Sequence, residues 1–364
     1  MVDLDLMLDD LASLVNVESP SRDLEALALS GAAVAGVIET RLGSAPAVID
    51  TAAGPIVHWS GGGSAKVLIL GHHDTVFPLG SLAQRPFTVA DGRATGPGVF
   101  DMKAGIVRAV HAVAALADPS HVEILFSPDE EVGSLASREL IEERAIACGA
   151  VLVLEPSADG GALKIARKGL GTFQVLIHGR AAHAGLEPEK GVNALVEAAH
   201  QILVINTFGD AGIGTTVTPT VARVGTTDNV VPALAQVTID VRVEAEGEKD
   251  RVETAMALLS PHDPATRIEV SGGITRPPMP ASTSEWLFPL AVSIGSELGL
   301  ADVRGVAVGG GSDGNFTAAC GVATLDGLGA TGGGAHADHE FVEVDTMPDR
   351  VRLLAGLLDE ISTR

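Results

Sequence analysis

Basic charge is scarce in this chain beside acidic charge. Its 364 residues carry 24 Lys and Arg against 47 Asp and Glu, a formal net charge of −23. That balance excludes nucleic acid and anionic membranes as partners, since both call for a basic surface. A small anionic substrate stays allowed, because a few local cations override the global field. Cysteine is nearly absent. Cys148 and Cys320 are the only two and lie far apart, which excludes a disulfide scaffold and a cysteine-rich metal site. Both read as small buried hydrophobes. No run approaches the ~18 uncharged apolar residues needed to span a bilayer. The opening Met1-Val2-Asp3-Leu4-Asp5-Leu6-Met7 has no basic n-region and no apolar h-region, so it does not read as a signal peptide. A cytoplasmic protein is the expectation.

What is present suits a globular enzyme. Hydrophobic residues make up 46% and charged residues 20%, and the length exceeds what one core comfortably serves, so two domains are expected. Helical spacing of Leu4, Leu6, Met7, Leu11, Leu14 and Val15 is broken by Ser19-Pro20-Ser21, and a second helix is expected from about 23 to 42. From Lys66 the pattern alternates: strand 66–72, helix 102–117, strand 122–127, helix 134–146, strand 151–155. Such alternation predicts a mainly parallel sheet covered by helices. Near Lys168 the pattern changes to strand 172–178, helix 192–203, strands 215–224 and 235–243, a helix from about 249 and a strand at 267–270. That order is the one found in a ferredoxin-like α+β layer. After Arg276-Pro277-Pro278 the first pattern returns, with helix 284–299, strands 304–308 and 322–326, and helix 345–361. The expected architecture is an α/β domain of residues 1–167 plus 276–364, interrupted by an inserted α+β domain of 168–275. The clusters Gly61-Gly62-Gly63, Gly309-Gly310-Gly311 and Gly332-Gly333-Gly334 read as turns.

Polar clusters at the ends of apolar runs carry the chemistry: His72-His73-Asp74, Asp101, Asp129-Glu130-Glu131, Glu155 and His336. Open α/β sheets place their sites at strand ends, and converging His and carboxylate groups suit a two-metal hydrolytic centre. In His72-x-Asp74 both side chains fall on one face of an extended strand, so Asp74 can hydrogen-bond the imidazole and fix its tautomer. His73 alternates to the other face and is the poorer ligand. Each cluster alone has a plainer reading. A lone strand-end His is often structural, Asp101 could be a helix N-cap, and Glu130-Glu131 could be the acidic first turn of a helix. Their recurrence, with Glu155 after another strand and His336 just before Glu340, is what those readings leave unexplained.

Together Gly71-His72-x-Asp74-Thr75-Val76, Gly98-x-x-Asp101-Met102-Lys103-x-Gly105, Asp129-Glu130-Glu131-x-Gly133-Ser134, Glu155-Pro156-Ser157 and His336-x-x-x-Glu340 resemble the M20 metallopeptidases along essentially the whole chain. The family spans glutamate carboxypeptidases, N-acyl-amino-acid deacylases and small peptidases. The resemblance implies a zinc-hydrolase domain with a lid and dimerisation domain inserted, and two zinc ions per subunit, with cobalt or manganese as substitutes. It implies Asp101 as the bridging carboxylate, His72 and Glu155 on one metal, Glu131 and His336 on the other, and Glu130 as general base. Asp74 is implied in a catalytic supporting role. Gly179-Arg180-Ala181-Ala182-His183-Ala184-Gly185 is similar to the family's lid segment, which gives His183 an oxyanion-stabilising role across a dimer interface. On the residues alone, His183 reads as a turn histidine. Asn229-Val230-Val231-Pro232, Arg276-Pro277 and Gly309-Gly310-Gly311-Ser312-Asp313 resemble substrate-contacting segments. They give Asn229, Ser312 and Arg276 as candidate contacts, Arg276 for a substrate carboxylate; the alternative for the inserted domain is a role in association alone, with no catalytic group supplied. The glycine spacing of the last does not fit a dinucleotide loop.

The expected reaction is release of a C-terminal amino acid from a small peptide, in the manner of glutamate carboxypeptidases. N-acyl-amino-acid deacylation by the same site is the alternative. A noncatalytic ligand-binding relative would lack the base or a ligand, and none is missing. A phosphoesterase would want a basic phosphate-binding cluster, which is not there.

Overall fold

The computed structural model describes residues 3–300 and 303–364. In chain order it opens with helices α1 (Leu4–Val15) and α2 (Leu24–Leu42), each started by an aspartate that caps free backbone N–H groups: Asp3 accepts from Asp5 and Leu6, and Asp23 from Ala26. Then come strands β1 (Ala47–Thr51), β2 (Gly54–Ser60) and β3 (Val67–His72), the short helix α3 (Ser81–Gln84), and strands β4 (Thr88–Ala90) and β5 (Arg93–Thr95). Helix α4 (Ala104–Ala114), β6 (Val122–Ser127), α5 (Arg138–Cys148), β7 (Ala150–Val153) and β8 (Leu163–Arg167) follow.

The next elements are β9 (Gly169–His178), α6 (Ala194–Ile205), β10 (Thr216–Val224), β11 (Leu234–Val243), α7 (Glu246–Ala257) and β12 (Arg267–Arg276). The chain closes with α8 (Leu287–Glu297), β13 (Gly305–Val308), α9 (Gly314–Ala319), β14 (Ala323–Leu325), β15 (Gly332–Gly333), β16 (Phe341–Glu343) and α10 (Met347–Thr363). Two compact units result: residues 1–166, 280–308 and 312–364 form one, and 167–279 with 309–311 the other.

The first unit is built on a six-stranded sheet of order β1-β2-β6-β3-β7-β14. Strands β6, β3, β7 and β14 run parallel, and the β1–β2 hairpin adds antiparallel strands at one edge. The expected mainly parallel sheet is therefore present. Strand β3 is buried at every position, as a strand covered on both faces must be. Its side chains alternate between two cores: Val67 and Ile69 join the cluster with α1, α2, α4 and α10, while Leu68 and Leu70 join Ile141, Ala145 and Cys148 of α5. Because β6, β3 and β7 are parallel neighbours, with His72 beside Ser127 and Leu70 beside Val153, their C-terminal ends share one edge.

Some elements differ from expectation. Helix α4 begins at Ala104, and Asp101 and Met102 have non-helical backbone, so Asp101 is not its N-cap. Glu130–Val132 form a separate 3-10 turn, and α5 starts only at Arg138. Strand β13 does not join the main sheet; it pairs with β8 in a two-stranded one. A further small sheet, β15-β16-β5-β4, was not foreseen.

The second unit is a four-stranded antiparallel sheet of order β10-β11-β9-β12 with two helices, in the chain order strand-helix-strand-strand-helix-strand. This is the ferredoxin-like arrangement. Strand β9 alternates buried and partly exposed residues, and Phe173, Val175 and Ile177 pack with Ala198 of α6 and Val252 and Met256 of α7. Among the described residues no helix is long and apolar enough to cross a membrane.

Candidate metal centre

Three parallel strand ends and two loops bring the acidic cluster together in the first unit. His72 ends β3 and is 1% exposed. Its Nδ1 lies 3.0 Å from the backbone O of Asp74 and 3.3 Å from Asp74 Oδ1. With Nδ1–H donated there, the lone pair of Nε2 faces Asp101 Oδ1 at 3.4 Å and Glu155 Oε1 at 3.3 Å. On the other side of Asp101, Oδ2 lies 3.4 Å from His336 Nε2, which is 3.2 Å from Glu131 Oε1. Each oxygen of Asp101 thus faces a different histidine.

Buried His72 Nε2 and Asp101 Oδ1 have no hydrogen-bond partner. Orphaned polar atoms at this depth are costly, and a nitrogen and carboxylate oxygens converging without donors are the ligands a divalent cation takes. Ligand atoms of His72, Asp101 and Glu131 lie within 4.8 Å of one another, as do those of His72, Glu130 and Glu155. The residues present therefore fit a metal centre.

The electrostatics agree. Burial opposes a charge on His72, but Asp101, Asp74 and Glu155 outweigh it and raise the imidazole well above its usual range. Asp101 and Glu131 raise His336 to about 10. Burial works against ionisation of Asp101 too, yet His336 and His72 hold that carboxyl well below the usual range. Burial pushes Glu131 up to about 7 and raises Glu155 as well, with the Asp101 charge adding to both. Carboxylates raised by burial and by one another's charge, and imidazoles raised by those carboxylates, mark a buried cluster of negative charge that a cation relieves.

Buried side chains hold the cluster in place. Asp74 is fully buried; besides His72 it accepts from Ser21 Oγ at 2.7 Å and from the backbone N–H of Glu130 and of Glu131 at 3.2 Å each. One carboxylate thus orients a ring and the turn carrying two glutamates. Asp313 braces the ends of that turn, taking the hydroxyls of Ser127 and Ser134. Glu340 does the same for Asp101. Its carboxylate accepts from Gly98 N at 3.0 Å, Phe100 N at 2.7 Å and Asp101 N at 2.8 Å. The sequence signalled Glu340 only by its spacing from His336; its work on the 98–101 loop was not read. Gly98 has φ 72, and a Cβ there would meet Thr75 at 2.5 Å, so the approach to Asp101 requires glycine. His336 itself has φ 62, a strained setting for a non-glycine residue. His73 faces away, as expected: Nε2 is 2.9 Å from Pro55 O and Nδ1 3.2 Å from Ser30 Oγ.

The remaining candidates sit elsewhere. Ser312 is fully buried, donates its hydroxyl to Asp326 at 2.6 Å and accepts from Gly314 N. A side chain so committed braces the loop in which a substrate contact from Ser312 was expected. In the second unit, Arg276 ends β12 and is buried, whereas Asn229 and His183 are exposed. The segment around His183 is pinned to that around Asn229, with Ala184 N donating to Asn229 O and Val231 N to Ala182 O. His183 Nδ1 accepts from Gly185 N and Leu186 N at 3.1 Å each, which leaves the neutral ring's proton on Nε2.

Imidazoles and carboxylates gathered at the ends of parallel strands define a metal-dependent hydrolase. The chain belongs to peptidase family M20/M25/M40, whose description residues 68–360 match, and the resemblance read from its motifs is borne out. It is 33% identical over 370 residues to carboxypeptidase G2 of Pseudomonas sp., covering 96% of this chain and 88% of that one. It is 30% identical over 201 residues to succinyl-diaminopimelate desuccinylase 2 of Shewanella loihica, covering 49% and 53%. Among solved structures, the M20 family metallo-carboxypeptidase Sso-CP2 from Sulfolobus solfataricus superposes with a TM-score of 0.79 at 15% identity, covering 98% and 99%.

Proposed function

We propose that this hydrolase cuts an amide whose released amine is a C-terminal amino acid, in the manner of a glutamate carboxypeptidase, using two zinc ions. The observation that carries the reading is Asp101, whose two oxygens face His72 and His336 separately. In this assignment His72, Glu155 and Asp101 hold one ion, and Glu131, His336 and Asp101 the other. When bound, such a pair supplies Lewis acidity, lowering a water's pKa toward ~7 and polarising the scissile carbonyl. Glu130 is left as the proton carrier. Its carboxylate lies within 4.8 Å of His72 and Glu155 ligand atoms, takes the proton of the attacking water and returns it to the leaving nitrogen.

The inserted unit is assigned the supporting parts. His183, with Nε2–H free to donate, stabilises the tetrahedral oxyanion, and Arg276 and Asn229 bind substrate, the Arg276 guanidinium donating to the substrate's C-terminal carboxylate. A homodimer through this unit is supported by exposed apolar side chains on α6, Leu195, Val196, Leu203 and Val204, and by Val221 on the edge strand β10. Deacylation of an N-acyl amino acid is the second reading, favoured by the partial similarity to a desuccinylase.

The test is a panel of dipeptides with C-terminal glutamate, N-acyl amino acids and phosphoesters offered to zinc-loaded protein, with bound metal counted. About two zinc ions per chain and free amino acid from the dipeptides are expected. Turnover of simple N-acyl amino acids alone would move the assignment to the deacylase reading. Release of phosphate but no amino acid would discard both.

A further inference from the structure

The break in helical spacing at Ser19-Pro20-Ser21 leads the chain between α1 and α2 along the turn that follows His72. Pro20 bridges Thr75 as a parallel strand would, with Thr75 N donating to Ser19 O at 2.8 Å and Ser21 N to Thr75 O at 3.1 Å. Upstream, Val17 O accepts from Lys103 Nζ at 2.7 Å, and the Glu18 carboxylate accepts from the backbone N–H groups of Gly80 and Leu82. Lys103 and Thr75 are both buried and both border Gly98. Residues 17–21 thus form a strap that fastens the turn after His72 to the segment carrying Asp101.

The strap holds both acceptors of the His72 ring. One is the carbonyl of Asp74, which belongs to the same peptide as Thr75 N–H. N–H and C=O point opposite ways across a trans peptide, so the bond from Thr75 N to Ser19 O turns Asp74 O toward His72 Nδ1. The other is the Asp74 carboxylate. Ser21 Oγ donates to its Oδ2 at 2.7 Å, whereas the backbone N–H groups of Glu130 and Glu131 lie at 3.2 Å and His72 Nδ1 at 3.3 Å. The hydroxyl bond is the shortest of the four and sets the rotation of the carboxylate plane. We propose that Ser21 is a positioning residue of the metal centre. It fixes Asp74 at the angle from which Oδ1 steadies the His72 ring, and so keeps Nε2 aimed at the ion. The inference rests on the assignment of His72 as a metal ligand and is indifferent to which amide is cut.

The experiment is zinc competition against a chromogenic chelator for the wild type, Ser21→Ala and Ser21→Thr, with melting curves alongside. Ser21 is partly exposed, so alanine leaves no buried cavity. Zinc affinity of Ser21→Ala should fall by about tenfold, and Ser21→Thr, which keeps the hydroxyl, should stay within about twofold of wild type. A lowered melting midpoint with wild-type zinc affinity in Ser21→Ala would reduce the hydroxyl to a structural contact and overturn the proposal. So would a Ser21→Thr protein as weak as Ser21→Ala. If the alanine variant holds too little zinc to titrate, amide exchange at Glu130 and Glu131 in the metal-free proteins decides. Exchange faster in Ser21→Ala and restored in Ser21→Thr supports the role, and equal exchange in all three overturns it. A wild-type chain that retains no zinc would instead remove the metal assignment, and the inference with it.

Discussion

Among the residues, Glu130 and Asp74 have separable duties. Glu130 is assigned proton transfer and no metal, so Glu130→Gln should keep its zinc while kcat falls by about 10²–10⁴. Metal analysis beside steady-state kinetics checks this, and near-normal turnover would remove the residue from the role. Asp74 touches His72 and the backbone of Glu130 and Glu131 at once. Asp74→Ala frees that ring and two N–H groups together, and should lower both zinc affinity and kcat by about 10–100-fold. A loss confined to either one would mean the two connections are independent. His183 is exposed and remote in sequence from every assigned ligand. His183→Ala should therefore reduce kcat with zinc content unchanged.

At the level of elements, the loop of residues 98–101 depends on Glu340. Glu340→Ala removes the acceptor of three backbone N–H groups, two of them buried, and should destabilise the protein by about 1–3 kcal/mol. It should also weaken zinc binding, since Asp101 sits at the end of that loop; chemical denaturation and zinc titration read the two effects. Strands β3, β6 and β7 were legible because buried parallel strands read as continuous apolar runs, each ending in a polar cluster. The βαββαβ order of the inserted unit was legible for a similar reason, the half-buried alternation of β9 and β11. The hairpin β1–β2 and the small sheet holding β15 and β16 were not. Strand β1 is largely exposed and β2 opens on Gly54-Pro55, while β15 and β16 are two and three residues long and β16 pairs with β5, far away in sequence. Asp101 was legible as a site residue and illegible as a structural one, because the backbone around it follows neither helical nor strand rules.

For the whole molecule, the metal-free site has a pH dependence whose sign is fixed. His336 titrates near 10 in the folded chain and near the ordinary histidine value when unfolded, so the native state holds the extra proton between those limits. That stability is complete below about 6.5 and is lost as pH rises through 10. The metal-free protein should thus unfold more easily at pH 9 than at pH 6, and added zinc, which displaces the proton, should stabilise more at the higher pH. Melting curves with and without chelator test it, and His336→Ala should flatten the metal-free dependence. The association state belongs to this scale as well. Charged replacements such as Leu203→Glu on α6 should leave a monomer by light scattering if that face is the dimer contact, whereas an unchanged dimer would place the contact elsewhere.

The three bonds from Glu340 also impose an order of events on the ribosome. Asp101 is synthesised 239 residues ahead of the carboxylate that holds its backbone, and the whole ferredoxin-like unit is translated in between. For most of its synthesis the nascent chain therefore carries its acidic side chains without the brace that aims Asp101 or the imidazole of His336. Metal retention is then a mark of nearly completed translation: a chain halted before His336 keeps most of its fold-forming sequence and cannot close the site.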